Sequence, residues 1–208
     1  METLSSSLLP LSKEDLPELL RLEFNKYQQK FLEDNPNYCE WFKQQLADID
    51  FSSQLTRTWV GSKFSALLCC RNPQIFQQLV DSNELSSTYT EKQIYLQLKE
   101  VLADVTNESQ LNKKLRLFRN QHMLRIIWRD LNRLATFEET TGDISLLAEV
   151  IIQQTVNFYH LQLSKIYGHP EDSHATEQKL VVIGMGKLGA KELNLSSDID
   201  LIFCYPQS

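Results

Sequence analysis

With 208 residues, of which 42% are hydrophobic, the chain is long enough to bury a sizeable core. Its formal net charge of −6 argues against nucleic acid as the main partner, because nucleic-acid-binding proteins carry an excess of basic side chains. No stretch approaches the roughly 18 apolar residues that a membrane-spanning helix needs. The N-terminus also lacks the basic start and long apolar run of a signal peptide. We therefore expect a cytoplasmic protein without a membrane segment.

Most of the chain before residue 180 carries the periodicity and the capping signals of α-helices. Asp15, followed by Pro17, predicts the N-cap of a first helix that ends near residue 34. Thr90 and Gln93 have the spacing of a capping box, which starts a helix that ends near residue 102. Further helices are predicted at 38–46, from Ser52 or Ser53 to the Asn72-Pro73 break, at 75–80, at 109–135, and at 143–167 with Gly168 as C-cap.

The predicted helix 109–135 is strongly basic, since seven Lys and Arg residues against one Asp give it a net charge of +6. Arg125, Arg129 and Arg133 recur every four residues, so a continuous helix would place them on one face. Such a face could bind phosphate or an acidic partner protein, because guanidinium groups form paired hydrogen bonds with oxyanions. The alternative is a solvated face whose arginines pair with acidic side chains of neighbouring helices.

The polar segment 169–178, called the linker below, is the clearest boundary in the sequence. It separates a helical region, 1–168, from residues 179–208, where we expect the first strands of a second core. Two of its residues, His169 and His174, flank acidic side chains, but a plain polar loop accounts for them without a metal.

Neither the remaining histidines nor the cysteines indicate a site. His122 and His160 lie on predicted helices without a second metal ligand one turn away. The four cysteines show no C-x-x-C spacing, and Cys69 and Cys70 are expected to be small buried side chains.

The segment 180–205 carries the motif on which the functional argument depends. A β-branched apolar run up to Gly184 predicts a buried strand, and Gly186 and Gly189 follow with Lys187 between them. A short helix is predicted over 187–193. Glycines let backbone N–H groups approach an anion, and the start of a helix adds positive dipole. This half of the motif therefore predicts a phosphate site.

Asp198 and Asp200 are predicted to open a second strand. Residues two apart on a strand share a face, so the two carboxylates would point together. The intervening apolar residues, Ile199, Leu201 and Phe203, would face the core. Two like charges on one face favour a bound cation, and Mg²⁺ combines carboxylates with phosphate oxygens and water. The motif as a whole predicts a phosphoryl- or nucleotidyl-transfer site.

Two alternatives stay open at this point. The glycines form a literal G-x-G-x-x-G after a strand, the fingerprint of a dinucleotide-binding βαβ unit. Only eight residues separate Gly189 from Asp198, however, which is too few for the crossover helix between parallel strands. The second alternative is a helical interaction module that binds a partner through its basic helix and catalyses nothing.

The string GMGKLGAKELNLSSDIDLIF, residues 184–203, closely resembles the first nucleotidyltransferase motif of the bifunctional glutamine synthetase adenylyltransferase/adenylyl-removing enzymes. Upstream, LRLFRNQHMLRIIWRDL at 115–131 resembles the arginine-rich helix of that family. Ala190 and Leu195 stand where the family often has Gly and Phe, and neither position is part of the Asp pair.

This resemblance implies a mainly α protein whose helical region leads into the first part of a mixed α/β nucleotidyltransferase core. It implies Asp198 and Asp200 as catalytic ligands of Mg²⁺. The implied nucleotide or phosphate contacts are Gly184, Gly186, Lys187, Gly189, Ser196 and Ser197, and Arg125 and Arg129 are candidates for phosphate or partner contacts. Glutamine synthetase would be the substrate protein, with phosphate, ADP and ATP as small molecules and a PII-type signalling protein as a further partner.

Because the motif is the first to follow Met1, the resemblance implies the deadenylylating half of the enzyme. In that half, inorganic phosphate removes AMP from a tyrosine of glutamine synthetase and releases ADP. Such sites usually need a third carboxylate from a later strand, and the sequence stops eight residues after Asp200. We therefore expect a fragment that folds but does not catalyse the reaction alone.

Overall fold

The computed structural model describes residues 8–205, and within that range the chain forms nine α-helices and two short β-strands. The mainly helical fold predicted from the sequence is confirmed. The described residues fall into two units: unit 1 comprises 8–88 and 120–137, and unit 2 comprises 89–119 and 138–205. Helix α7 (Glu108–Leu131) contributes its first half to unit 2 and its second half to unit 1. The domain boundary predicted at the linker stays a prediction.

Unit 1 packs its helices around an aromatic core. Its complete helices are α1 (Glu18–Asp34), α2 (Cys39–Leu46), α3 (Ile49–Gly61), α4 (Lys63–Arg71) and α5 (Pro73–Asp81). The ring of Phe42 stacks on Trp59 with centroids 5.6 Å apart, and Phe31 lies 4.4 Å from Phe42. Trp128 of α7 joins this core and donates its indole N–H to Gln54 Oε1 at 2.8 Å. Burial of these large rings is the main stabilising contribution to unit 1.

The capping signals correctly predict two helix ends. The Thr90 hydroxyl accepts the N–H of Gln93, and the Gln93 side chain accepts the N–H of Thr90 at 2.9 Å, so the capping box is confirmed. Gly168 follows helix α8 (Phe137–Tyr167) with a φ of +83°, the left-handed conformation expected of a glycine C-cap. The predicted N-cap at Asp15 is wrong. Asp15 ends a short 3₁₀ turn that Ser12 caps, and α1 begins three residues later.

Four other helix boundaries differ from the prediction, and one of them is the start of α8, at Phe137 rather than at residue 143. Helix α3 is capped by Asp48 rather than by Ser52 or Ser53, and the chain breaks at Ser62, whose hydroxyl caps α4. Helix α7 ends before Arg133, which has a φ of +54°. The predicted face of three arginines is therefore wrong at its third member, because Arg133 lies outside the helix.

Unit 2 contains the linker and the glycine motif. Its elements are α6 (Glu91–Val101), α8 (Phe137–Tyr167), β1 (Val181–Gly184), the one-turn helix α9 (Gly186–Gly189) and β2 (Leu201–Cys204). The two strands pair antiparallel, with Val182 opposite Phe203. A dinucleotide-binding βαβ unit needs parallel strands, so this pairing excludes that alternative for the motif. Two strands alone do not define the mixed α/β core predicted to follow. No helix in the part of the chain described by the structure is long and apolar enough to span a membrane.

Candidate functional site

The glycines of the motif form a tight turn between β1 and α9. Gly186 has a φ of +53°, a left-handed conformation that residues with a side chain rarely adopt. A Cβ atom at Gly189 would lie 2.6 Å from the carbonyl oxygen of Gly184, too close for a real contact. The turn therefore requires glycine at these two positions for its own geometry, independently of any bound phosphate.

Two buried leucines anchor the segment that follows the turn. Leu188 on α9 and Leu193 beyond it are each 3% exposed. Between them Lys191 has a φ of +60°, which an α-helix cannot continue. The helix predicted over 187–193 is therefore wrong in extent, since α9 ends after a single turn at Gly189.

Asp198 and Asp200 lie just before β2, which begins at Leu201, three residues later than the predicted start at Asp198. The carbonyl oxygen of Asp200 accepts the N–H of Met185 at 2.9 Å, so the segment with the Asp pair is bonded directly to the glycine turn. Both side chains are exposed, and within residues 8–205 neither carboxylate takes part in a hydrogen bond or an ion pair. Their oxygens are therefore accessible to a ligand from solvent.

The apolar residues around the Asp pair are more exposed than the strand pattern predicts. Ile199 and Phe203 are 41% and 56% exposed, so the prediction that they face a core is wrong for the described residues. Leu201 is half-buried. The reason is that the hairpin has two strands only within residues 8–205, and a two-stranded ribbon buries little of either face.

Asn194 organises the loop that leads to the Asp pair. Its Oδ1 accepts the backbone N–H of Ser196 at 3.1 Å and the hydroxyl groups of Ser196 and Ser197 at 3.2 and 2.9 Å. The two serines thus hold the loop in shape, and their contact with phosphate stays a prediction. Asn194 is not among the site residues predicted from the sequence, although an Asn two residues before a Ser is a sequence signal of such a turn.

A serine of α8 fixes this loop from the other side. The buried hydroxyl of Ser145 donates to the carbonyl of Thr141 at 2.8 Å and accepts the N–H of Leu193 at 3.1 Å. Ser145 and Leu193 are 48 positions apart, so no local pattern in the sequence predicts this contact. The hydrogen bond makes α8 the support on which the Asp-bearing loop rests.

A cavity of about 490 Å³ lies between α8 and the hairpin, lined by the glycine turn and by residues of α8 such as Ile152 and Val156. Asp198, Asp200 and Lys187 do not line it and are exposed to solvent. The charged groups of the motif therefore lie outside this cavity. We assign the candidate site to the solvent-exposed side of the turn, where a phosphate from solvent can contact these charged groups.

The two candidate arginines of the basic helix are buried in unit 1. Arg125 is 0% exposed, and its guanidinium donates to the carbonyl of Ser87 at 2.6 Å. Arg129 is 3% exposed and donates to the carbonyls of Ser86 and Leu134 at 2.5 and 2.9 Å. Neither side chain lies on a solvated face, since both hold backbone segments in place. A contact with phosphate or with a partner stays a prediction.

A strand, a tight glycine turn and a pair of exposed carboxylates therefore follow one another, joined by the Met185–Asp200 hydrogen bond. This order of elements is that expected at the beginning of a nucleotidyltransferase core.

Comparison with known proteins agrees with this class. Residues 52–208 match the family model for glutamate-ammonia ligase adenylyltransferase. The chain is also similar to bifunctional glutamine synthetase adenylyltransferase/adenylyl-removing enzymes from three organisms. These are Thioalkalivibrio sulfidiphilus (37% identity, covering 91% of this chain and 19% of the relative), Nitrosococcus oceani (38%, 84% and 19%) and Pseudomonas aeruginosa (39%, 80% and 16%). The chain belongs to the glutamate-ammonia ligase adenylyltransferase family, and it spans about a fifth of the length of these curated relatives.

Proposed function

We propose that this chain is part of an enzyme that removes AMP from glutamine synthetase by phosphorolysis. An oxygen of inorganic phosphate bonds to the phosphorus of the AMP group, and the bond from that phosphorus to the tyrosine oxygen breaks. The products are ADP and a tyrosine hydroxyl, which takes up a proton. Membership of the family supports this proposal. The removing half is proposed, rather than the attaching half, because residues 184–203 resemble the first of the two nucleotidyltransferase motifs.

The observation that carries the proposal is the hydrogen bond from Met185 N to Asp200 O. It joins the glycine turn, a candidate phosphate-binding element, to the exposed carboxylate pair, a candidate metal-binding element. Phosphoryl transfer depends mainly on positioning and on neutralising negative charge, so these two elements must be held in a constant relation.

The Asp pair fits Mg²⁺, because Asp198 and Asp200 offer exposed carboxylate oxygens with no partner among the described residues. A magnesium ion held by both residues would neutralise negative charge on the transferring phosphoryl group. The other roles belong to the chain itself. The N–H groups at the start of α9, including that of Gly186, have no acceptor within the helix and can donate to phosphate. Lys187 is exposed on the same turn and supplies a positive point charge.

The remaining motif residues shape this site. Gly184 and Gly189 allow the close turn, and the hydroxyls of Ser196 and Ser197 would exchange part of their bonding with Asn194 for bonding with phosphate. We propose further that residues 8–205 do not catalyse the reaction alone, since the chain spans about a fifth of the length of the enzymes that it resembles. The PII-type partner and the cytoplasmic location expected from the sequence stay predictions.

The test uses the full-length protein and adenylylated glutamine synthetase. Asp198→Asn and Asp200→Asn should each lower phosphate-dependent AMP release at least about a thousandfold, because loss of the metal ligand raises the barrier by roughly 4 kcal/mol. Binding of the modified glutamine synthetase should persist. Glu192→Gln is the matched control, since it removes one exposed carboxylate of the same loop that is not part of the pair.

Activity within about threefold of wild type in either Asp variant would refute the two-carboxylate mechanism. If the wild-type protein binds glutamine synthetase but releases no AMP with phosphate, the alternative of a helical interaction module is favoured.

A further inference from the structure

The linker is folded, although the sequence predicts a plain polar loop. The Asp172 carboxylate accepts the backbone N–H groups of His174 and Thr176 at 2.8 and 2.9 Å. Glu171 and Glu177 pair antiparallel in an isolated bridge. These bonds turn the linker back on itself, so its two ends lie side by side.

The turn of the linker brings two histidines and a carboxylate together. His160 on α8 has a side chain that is 14% exposed, and its Nε2 lies 2.8 Å from Glu177 Oε1. Nδ1 of His169 lies 3.2 Å from the same oxygen. The three potential ligand atoms all lie within 4.8 Å of one another. We call His160, His169 and Glu177 the linker triad.

The geometry of the linker triad suits a transition metal. Glu177 Oε1 lies within hydrogen-bonding distance of an imidazole nitrogen of each histidine. Two imidazole nitrogens and one carboxylate oxygen are a common zinc ligand set. In a tetrahedral site with bonds of about 2.0–2.1 Å, neighbouring ligand atoms are separated by about 3.3 Å. The observed separations of 2.8 and 3.2 Å need only a small adjustment to reach that value.

We propose that the linker triad is a zinc-binding site, with a water molecule in the fourth position. The ion clamps the linker onto α8 and thereby fixes the segment that leads into β1. Lys99 and Lys179 line the same groove as the linker triad, and their positive charge weakens the attraction for a cation. The expected affinity is therefore in the micromolar range, below that of closed structural zinc sites.

Titration of the 208-residue chain, freed of metal by a chelator, tests the proposal. Zn²⁺ binding is measured by calorimetry, and Co²⁺ binding by the visible absorption of a four-coordinate site. We expect one ion per chain, and Mg²⁺ should not compete, because it prefers oxygen ligands. His169→Ala and Glu177→Gln should each weaken zinc binding at least about tenfold, since each removes one of three ligands. Both positions are exposed, so folding should survive, and far-UV circular dichroism checks this.

Two controls separate this site from others. His174→Ala changes an exposed histidine of the same linker outside the linker triad, and it should bind zinc as tightly as the wild type. The Asp198→Asn, Asp200→Asn double variant should also retain zinc. Hydrogen exchange in the linker should slow on zinc addition in the wild type but not in Glu177→Gln. The proposal is overturned if the wild type binds no zinc at about 100 µM, or if His169→Ala and Glu177→Gln bind it unchanged, which would mean an adventitious ion only.

Discussion

Replacing Ser145 by alanine tests how the candidate site is held in place. The Ser145 hydroxyl is the acceptor for the N–H of Leu193, and both residues are buried. In the variant this N–H loses its acceptor at a position closed to water. A buried donor without a partner costs about 1–3 kcal/mol, which corresponds to roughly 5- to 150-fold more frequent local opening. We expect Ser145→Ala to accelerate amide exchange at Leu193, and in the loop as far as Asp200, by a factor in that range.

The matched control is Ser164→Ala on the same helix. Its hydroxyl is half-buried and makes no hydrogen bond within residues 8–205. Both substitutions therefore raise the helix propensity of α8 equally, but only Ser145→Ala removes a hydrogen-bond acceptor. Exchange rates are read residue by residue from nuclear magnetic resonance spectra, and the helices of unit 1 serve as the internal reference. If the two variants exchange alike at Leu193, within about twofold, Ser145 does not support the loop and the reasoning is refuted.

Three further predictions concern single positions. In the full-length protein, Lys187→Ala should weaken the use of phosphate while the melting temperature stays constant, because the side chain is exposed. A lower melting temperature with unchanged phosphate use would show that Lys187 has a structural role instead. Gly189→Ala places a Cβ against a backbone carbonyl and should destabilise the turn by about 1–3 kcal/mol, seen as faster exchange in both strands with unchanged helix content. Burial, reinforced by the charge of Arg125, lowers the pKa of His122 from 6.5 to about 3. The contribution of neutral His122 to the free energy of unfolding should therefore be fully present above pH 6.5 and should fall toward pH 3, by up to about 1.4 kcal/mol per pH unit. Urea titrations of the wild type and of His122→Gln check this, because the variant should lack this pH-dependent contribution.

The features that the sequence predicts well are those formed by residues close together in the chain. The capping box of Thr90 and Gln93 and the C-cap at Gly168 depend on contacts within one helical turn, so the pattern of residue types suffices. The N-cap predicted at Asp15 is wrong, although it also depends on neighbouring residues. Ser12, three residues earlier, is itself the N-cap of a capping box, and Asp15 is the N3 residue whose side chain accepts the N–H of Ser12.

The features that the sequence does not predict depend on distant contacts. Arg125 and Arg129 look like a basic surface by their spacing, yet they bond to carbonyls 38 and 43 positions away inside unit 1. His160 has no second ligand one helical turn away, because its partner Glu177 lies 17 residues further on, beyond the turn of the linker. Periodicity describes one element at a time and contains no information on which elements meet.

Helix α8 holds the following chain at two points, through the His160–Glu177 contact and through the Ser145–Leu193 hydrogen bond. The two points on the helix are 15 residues apart, or about 22 Å along its axis. Because α8 is rigid, it fixes the distance between the two attachment points of the segment 178–192. This segment therefore cannot lengthen or shorten without displacing the glycine turn. Insertions or deletions there should be tolerated poorly. Extra residues at the exposed tip of the linker, near Ala175, lie before the first of these points and should leave the spacing unchanged.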